Sequence, residues 1–299
     1  MKSATIIALA AILGATLAAS KADAATEFGE IRLATGVRMH YAASGPADGY
    51  PIIMLHGYSD SWFSFSRVIP PLAKRYRVFA LDLRGHGDSD RPATGYQMRD
   101  LASDVIAFME AKRIVRAAVV GHSMGSFVAQ QVALAAPTRV SHLVLIGSAT
   151  QPGVFGDFGE LTKAVESLSE PVSADFARDF QLSTIHSPIP HAFIDRAVLE
   201  SLKLPTRVWR EVMKGMLAME PAIALGRTRI PTLVMRGDKD TFATASLQAP
   251  LINMIRTARL TTYRETGHAL HWERPQEFAR DVSAFLDETR AKPTAAKGL

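Results

Sequence analysis

The chain has 299 residues, 47% of them hydrophobic and 21% charged, with a formal net charge of +5 and no cysteine. This is globular composition, and the length suits one large α/β domain or two smaller ones; the missing cysteines exclude disulfides, thiolate catalysis and cysteine-bound metals. The positive excess is not gathered into a basic run with interleaved aromatics, so a nucleic-acid partner is not expected.

The first expected element is an export signal. Lys2 gives a short positive start, Ala4 to Ala19 an apolar stretch, and Ala22-Asp23-Ala24 the small-x-small pattern of a cleavage site. Residues 1–24 are therefore expected to be a signal peptide, leaving a periplasmic or secreted protein. Gly14, Thr16 and the many alanines make a weak membrane anchor, so no stable membrane insertion is expected after cleavage.

Beyond it, strand-like and helix-like stretches alternate. Glu30–Leu33 and Val37–Tyr41, with Gly36 between them, read as a leading hairpin. Short apolar runs follow at Ile52–Leu55, Val78–Leu83, Ala117–Val120, Leu143–Ile146 and Thr232–Met235, and a last strand at Arg259–Tyr263. Such runs, separated by helical stretches, indicate a buried, mostly parallel sheet. Asp100–Lys112 places Leu101, Val105, Phe108 and Met109 at helical spacing, and Pro275–Leu286 reads as a closing amphipathic helix with Pro275 in its first turn. The alternation stops between Thr150 and Arg229, where helix-like segments at Leu161–Leu168, Ala174–Phe180, His191–Leu202 and Arg207–Met219 follow one another. Residues 25–149 and 230–299 are thus expected to form an α/β core, and 150–229 a helical cap over the edge where ligands bind.

Within this frame Gly121-His122-Ser123-Met124-Gly125 joins a strand to a helix. A serine between two glycines at such a junction is the pattern of a nucleophile elbow. The turn is sharp, so its flanks must be small. It lifts the Ser123 hydroxyl above the sheet edge and sets the Met124 N–H at a helix N-terminus. Acyl transfer needs backbone donors aimed at a developing oxyanion. Met124 N–H would be one, and Tyr58 N–H, in the loop after Leu55-His56-Gly57, the other. A carboxylate in Gly237-Asp238-Lys239-Asp240 could orient an imidazole. Asp240, deeper in the loop, is the candidate, and Asp238 the alternative that would brace the turn. His268, after the last strand, completes the order Ser, Asp, His as general base. His271, three residues on at the helix start, competes with it. His122 is expected to be a packing or turn residue. Asp82–Ser89 is neither G-x-G-x-x-G nor a P-loop and reads as a structural turn bordering the site. Trp62, Phe63, Trp209 and Trp272 are candidates for an apolar acyl pocket, with packing expected for at least two of them. His268 and His271 lack placeable partner ligands, and no metal or cofactor is expected.

Together these segments resemble the α/β-hydrolase fold, from about Glu30 to Leu286. The likeness rests on His56-Gly57-Tyr58, Asp82–Ser89, Gly121–Gly125, Gly237–Asp240, Gly267-His268 and Glu273-Arg274-Pro275. It implies oxyanion donors at Tyr58 and Met124 and the triad acid at Asp240. Ser126 departs from the pattern, since many relatives have another glycine there. Haloalkane dehalogenases and epoxide hydrolases carry an aspartate at the nucleophile position, and Ser123 argues against both. The alternative triad acid after Leu143–Ile146 has no support, because Gly147-Ser148-Ala149-Thr150 holds no carboxylate. The resemblance implies a serine hydrolase that cleaves a small-molecule carboxylic ester or lactone through an acyl-enzyme. C–C bond hydrolases, perhydrolases and non-catalytic ligand-binding members of the fold remain as alternatives.

Overall fold

The computed structural model describes residues 25–154 and 158–290; the expected signal peptide, residues 1–24, lies outside the described residues. Strand β1 (Glu27–Arg32) turns through Gly36 into β2 (Arg38–Ser44) as an antiparallel hairpin. Gly36 sits at φ +86°, which a glycine adopts without strain. The remaining strands are β3 (Tyr50–Leu55), β4 (Tyr76–Leu81), β5 (Ala117–His122), β6 (Val140–Ile146), β7 (Thr232–Gly237) and β8 (Ala258–Tyr263). They form one eight-stranded sheet of order β1-β2-β4-β3-β5-β6-β7-β8. The β3 to β8 pairings are parallel, and β2 joins β4 antiparallel.

The apolar runs are continuous because both faces of the central strands are covered. Along β3, Ile53 and Leu55 join one core cluster while Ile52 and Met54 join the other, the period-two alternation of a strand. One face packs on α2 (Met98–Ala111) and α3 (Met124–Ala135), through Leu101, Val105, Phe108, Phe127 and Val128. The other packs on α1 (Ile69–Ala73) and the final helix, through Leu72, Phe278, Val282 and Phe285.

Between β6 and β7 the chain leaves the sheet for four helices, α4 (Phe158–Glu166), α5 (Ala174–Ser183), α6 (His191–Ser201) and α7 (Thr206–Leu217). After β7 come α8 (Ala245–Met254), α9 (Leu270–Glu273) and α10 (Pro275–Arg290). Strand β3 pairs with β4 on one side and β5 on the other. The winding direction reverses there, opening a crevice beyond the carboxyl ends of β3 and β5 where doubly wound sheets bind ligands. Among the described residues no helix is long and apolar enough to cross a membrane.

Candidate active site

The crevice holds Ser123, at the junction of β5 and α3. Its backbone has φ 50° and ψ −118°, a left-handed conformation unusual for a residue with a side chain. Two hydrogen bonds hold the turn, from Ser123 N–H to the Ile146 carbonyl at 2.9 Å and from Ser126 N–H to the Ser123 carbonyl at 2.8 Å. The flanking glycines are steric requirements. A Cβ on Gly121 would lie 2.2 Å from the Gly125 carbonyl oxygen, and one on Gly125 would lie 2.1 Å from the Leu55 oxygen. Ser126 costs the turn nothing, because its hydroxyl donates to the Ser123 carbonyl at 2.6 Å.

His268 lines the same cavity as Ser123. Its Nδ1 lies 2.9 Å from Asp240 Oδ2. Asp240 Oδ1 in turn accepts the Phe242 and Ala243 N–H groups, each at 2.9 Å. The buried carboxylate is thereby fixed on two sides and presents one oxygen to the imidazole. Asp238 is exposed, and its carboxylate accepts only a long 3.4 Å bond from Thr266 N–H. The two aspartates thus separate into one that faces the histidine and one that braces the turn. Asp240→Asn is expected to lower turnover about 10³–10⁴-fold by losing the acceptor for His268 Nδ1–H. Asp238→Asn should change turnover less than about threefold, with steady-state kinetics of both variants on one ester as the measurement.

His271 is not a competitor in space. It sits in α9 with Nε2 3.1 Å from Ser64 Oγ, and burial, with the nearby His268 charge adding, pushes it down to about 3. The His122 ring lies tilted between two others, 5.0 Å from the His268 ring and 4.6 Å from the His271 ring. Burial chiefly, then the neighbouring histidines, hold it well below the ordinary histidine value. A neutral His122 leaves His268 without a repelling cation at its side.

The loop after β3 is fixed from several directions. Leu83 N–H donates to His56 Nε2 at 3.1 Å, so His56 Nδ1 carries the proton and donates to the Gly57 carbonyl at 2.8 Å. The Tyr58 hydroxyl donates to the Trp209 carbonyl at 2.6 Å. Among the described residues, neither Tyr58 N–H nor Met124 N–H donates to a protein acceptor. The Asp82–Ser89 turn braces this loop from behind. Asp82 accepts Trp62 N–H at 2.6 Å and Asp88 N–H at 2.9 Å, and pairs with His40 Nδ1 at 2.7 Å.

The crevice is narrow, and its roughly 470 Å³ of space between atoms counts open solvent at the mouth. Phe127, Leu161, Phe180, Met216, Phe242 and Trp272 give it apolar walls. Of the four candidate aromatics, of which at least two were expected to pack elsewhere, Trp272 lines it among the described residues. Trp209 is fully buried in the core, Trp62 packs on Phe28, and Phe63 stacks on Phe193. The sequence also left Asp60, Gln181 and Glu273 without a role. Asp60 and Gln181 line the cavity. Glu273 accepts Gly267 N–H at 2.8 Å and Ser187 N–H at 2.7 Å, tying the His268 loop to the segment between α5 and α6. Their signals were weak. Asp60 stands only four residues beyond His56, and Glu273 belongs to a segment already singled out by resemblance.

Fold and site together describe an α/β-fold hydrolase. The profile described as alpha/beta hydrolase fold matches residues 50–187. The chain is 31% identical over 283 residues to 2-hydroxymuconate semialdehyde hydrolase of a Pseudomonas species, covering 89% of this chain and 96% of that protein. It is 44% identical over 94 residues to a soluble epoxide hydrolase of a Corynebacterium species, a match spanning 31% of this chain and 32% of that protein. An esterase structure from a Rhodococcus species superposes with a TM-score of 0.79 at 25% identity, covering 88% of this chain and 99% of that one. The chain belongs to the alpha/beta hydrolase fold family.

Proposed function

We propose that the protein is a serine hydrolase of carboxylic esters or lactones. The observation that carries this reading is Ser123, held at φ 50° on the elbow, in one cavity with a His268 ring whose Nδ1 is 2.9 Å from Asp240. Ser123 Oγ attacks the substrate carbonyl as His268 Nε2 takes its proton. Asp240 keeps the imidazole proton on Nδ1 and stabilises the imidazolium that forms. Tyr58 N–H and Met124 N–H, both without acceptors among the described residues, receive the oxyanion. His268 returns the proton to the leaving oxygen, and the acyl group remains as an ester of Ser123. Water deprotonated by His268 then attacks this ester, the acid leaves and Ser123 recovers its proton. No step calls on a metal or a cofactor.

A hydroxyl rather than a carboxylate at the elbow favours an acyl-enzyme over the alkyl-enzyme that an epoxide would require. Residues 150–229 act as the cap in this reading, since Leu161, Phe180 and Met216 supply part of the cavity wall. The test is a panel of p-nitrophenyl esters and lactones on wild type and Ser123→Ala. Turnover of at least one by wild type and its loss in the variant is the expected result. Equal turnover by both proteins rules the mechanism out. Lys2, the apolar stretch and Ala22-Asp23-Ala24 further support action outside the cytoplasm. N-terminal sequencing of the exported protein is expected to begin at Ala25, and recovery of the full-length chain from the cytoplasm alone would contradict it.

A further inference from the structure

Part of the cavity wall is polar, and its polar groups are not fully satisfied. Gln181, on α5, is completely buried and lines the cavity beside Asp60. Its Nε2 donates to Asp60 Oδ1 at 2.9 Å and to Ser201 Oγ at 2.8 Å. Asp60 Oδ2 accepts the Ser64 hydroxyl at 3.2 Å. The Gln181 Oε1 atom, however, is buried with no hydrogen-bond partner among the described residues. The amide is not free to turn over and relieve this. Reversing it would set Oε1 against the Asp60 carboxyl oxygen, losing a charge-assisted bond. A buried carbonyl oxygen without a donor is costly, and in a ligand cavity it marks the place of a donor that arrives with the ligand.

We propose that Gln181 Oε1, braced by Asp60, is a specificity-determining subsite that accepts a hydrogen bond from a hydroxyl group of the substrate. The substrates of the site are then hydroxylated esters or lactones rather than plain alkyl ones. This rests on the reading of Ser123 as nucleophile in the same cavity. A neutral donor suits the subsite better than a cation. The open acceptor is an amide oxygen, and both Asp60 oxygens already have neutral donors. The surrounding walls are apolar and would strip an ammonium group of its water. Phe127, Phe180 and Trp272 accommodate the hydrocarbon part of such a substrate.

Matched pairs test this directly. p-Nitrophenyl butyrate is compared with its 3-hydroxy derivative, and p-nitrophenyl hexanoate with its 6-hydroxy and 6-amino derivatives. In wild type, at least one hydroxylated ester is expected to exceed its parent about tenfold in kcat/KM. The ratio should fall toward one in Gln181→Leu and Gln181→Met. The wild-type ratio needs no variant to fold. Binding of the same pairs to Ser123→Ala gives a second readout that does not need turnover. Preference for the hydroxylated ester in binding, with no hydrolysis by wild type, would leave the subsite standing and remove the nucleophile reading. Hydrolysis of both pairs with equal kcat/KM would remove the subsite and leave the nucleophile, as expected if that part of the cavity holds only water. A tighter amino derivative overturns the hydroxyl assignment in favour of a cation site, and failure of every pair to bind overturns it outright.

Discussion

Replacing Ser123 with glycine is expected to abolish turnover and to raise the thermal midpoint, whereas alanine should abolish turnover without that gain. Both substitutions delete the oxygen proposed as nucleophile, and the loss should be about 10⁴-fold or more, since in that mechanism the remaining groups act through it. The stability difference comes from the backbone. At φ 50° and ψ −118° a residue with a Cβ carries strain of about 1–3 kcal/mol. Alanine keeps the Cβ and therefore the strain. Glycine removes it, less the roughly 0.5–1 kcal/mol that glycine's freer unfolded chain costs. The net gain of about 1 kcal/mol corresponds to a midpoint increase of roughly 2 °C for a chain of this size. Thermal melts of the three proteins, with ester turnover measured alongside, separate the two effects. A Ser123→Ala variant within tenfold of wild-type turnover would remove Ser123 from the mechanism. A glycine variant less stable than the alanine one would show that the elbow is not strained.

The elbow was legible because its requirements are local. Small flanks, a strand before and a helix after can all be read within a dozen residues. Asp240 was legible for a related reason, as it follows shortly on β7, whose apolar run is plain; β8, before His268, mixes Arg259, Thr261 and Thr262 with Leu260, and His268 was placed by the chain order Ser, Asp, His. The central strands were found because the sheet buries both of their faces, while the edge strands β1 and β8 are largely exposed and were read from the hairpin turn at Gly36 and the place of β8 after β7. Helices were harder. Segment Ile69–Ala73 carries Pro70 and Pro71, which read as breakers although both stand in the first turn of α1, where a missing N–H costs nothing. Helix α8 holds Pro250 in its interior and has no clear apolar face to give it away. Helices α4 to α7 were visible one by one, but not what they touch.

That last gap hid the polar part of the cavity wall. Asp60 and Gln181 are 121 positions apart, and only the folded insertion brings them to 2.9 Å. Nothing near either residue in the chain announces the other. Burial then does what the sequence cannot. It pushes the Asp60 carboxyl up to about 6, against the hydrogen bonds from Gln181 and Ser64 that lower it. The proposed catalytic motif in this chain is local, while the candidate specificity group depends on tertiary structure. A reading of motifs therefore reaches the reaction before it reaches the substrate.

The same buried titrating groups give the protein a steep acid limit. His56, His86, His122 and His271 are all held below the ordinary histidine value, mainly by burial, with His86 pushed down to about 4 and His271 to about 3. In the unfolded chain each would take a proton near pH 6.5. Between that pH and their folded values the unfolded state therefore binds more protons, so stability must fall as pH falls. Asp60 and His40, both raised in the folded protein, act the other way, since each favours the folded state as pH drops. These two groups stand against four histidines, so the histidine effect wins. Every tenfold loss of proton affinity on folding is worth about 1.4 kcal/mol, so four rings shifted in the same direction make stability fall as the pH drops below 6.5. Urea unfolding midpoints are expected to drop steeply between pH 6.5 and about 4. The slope should be shallower in His271→Asn, which cannot titrate there, even if its midpoint at pH 7 is lower. A midpoint that stays level from pH 7 to pH 4.5 would mean that these rings are hydrated or already charged in the folded protein, and that a neutral His122 is not what keeps the His268 imidazole free of a repelling neighbour.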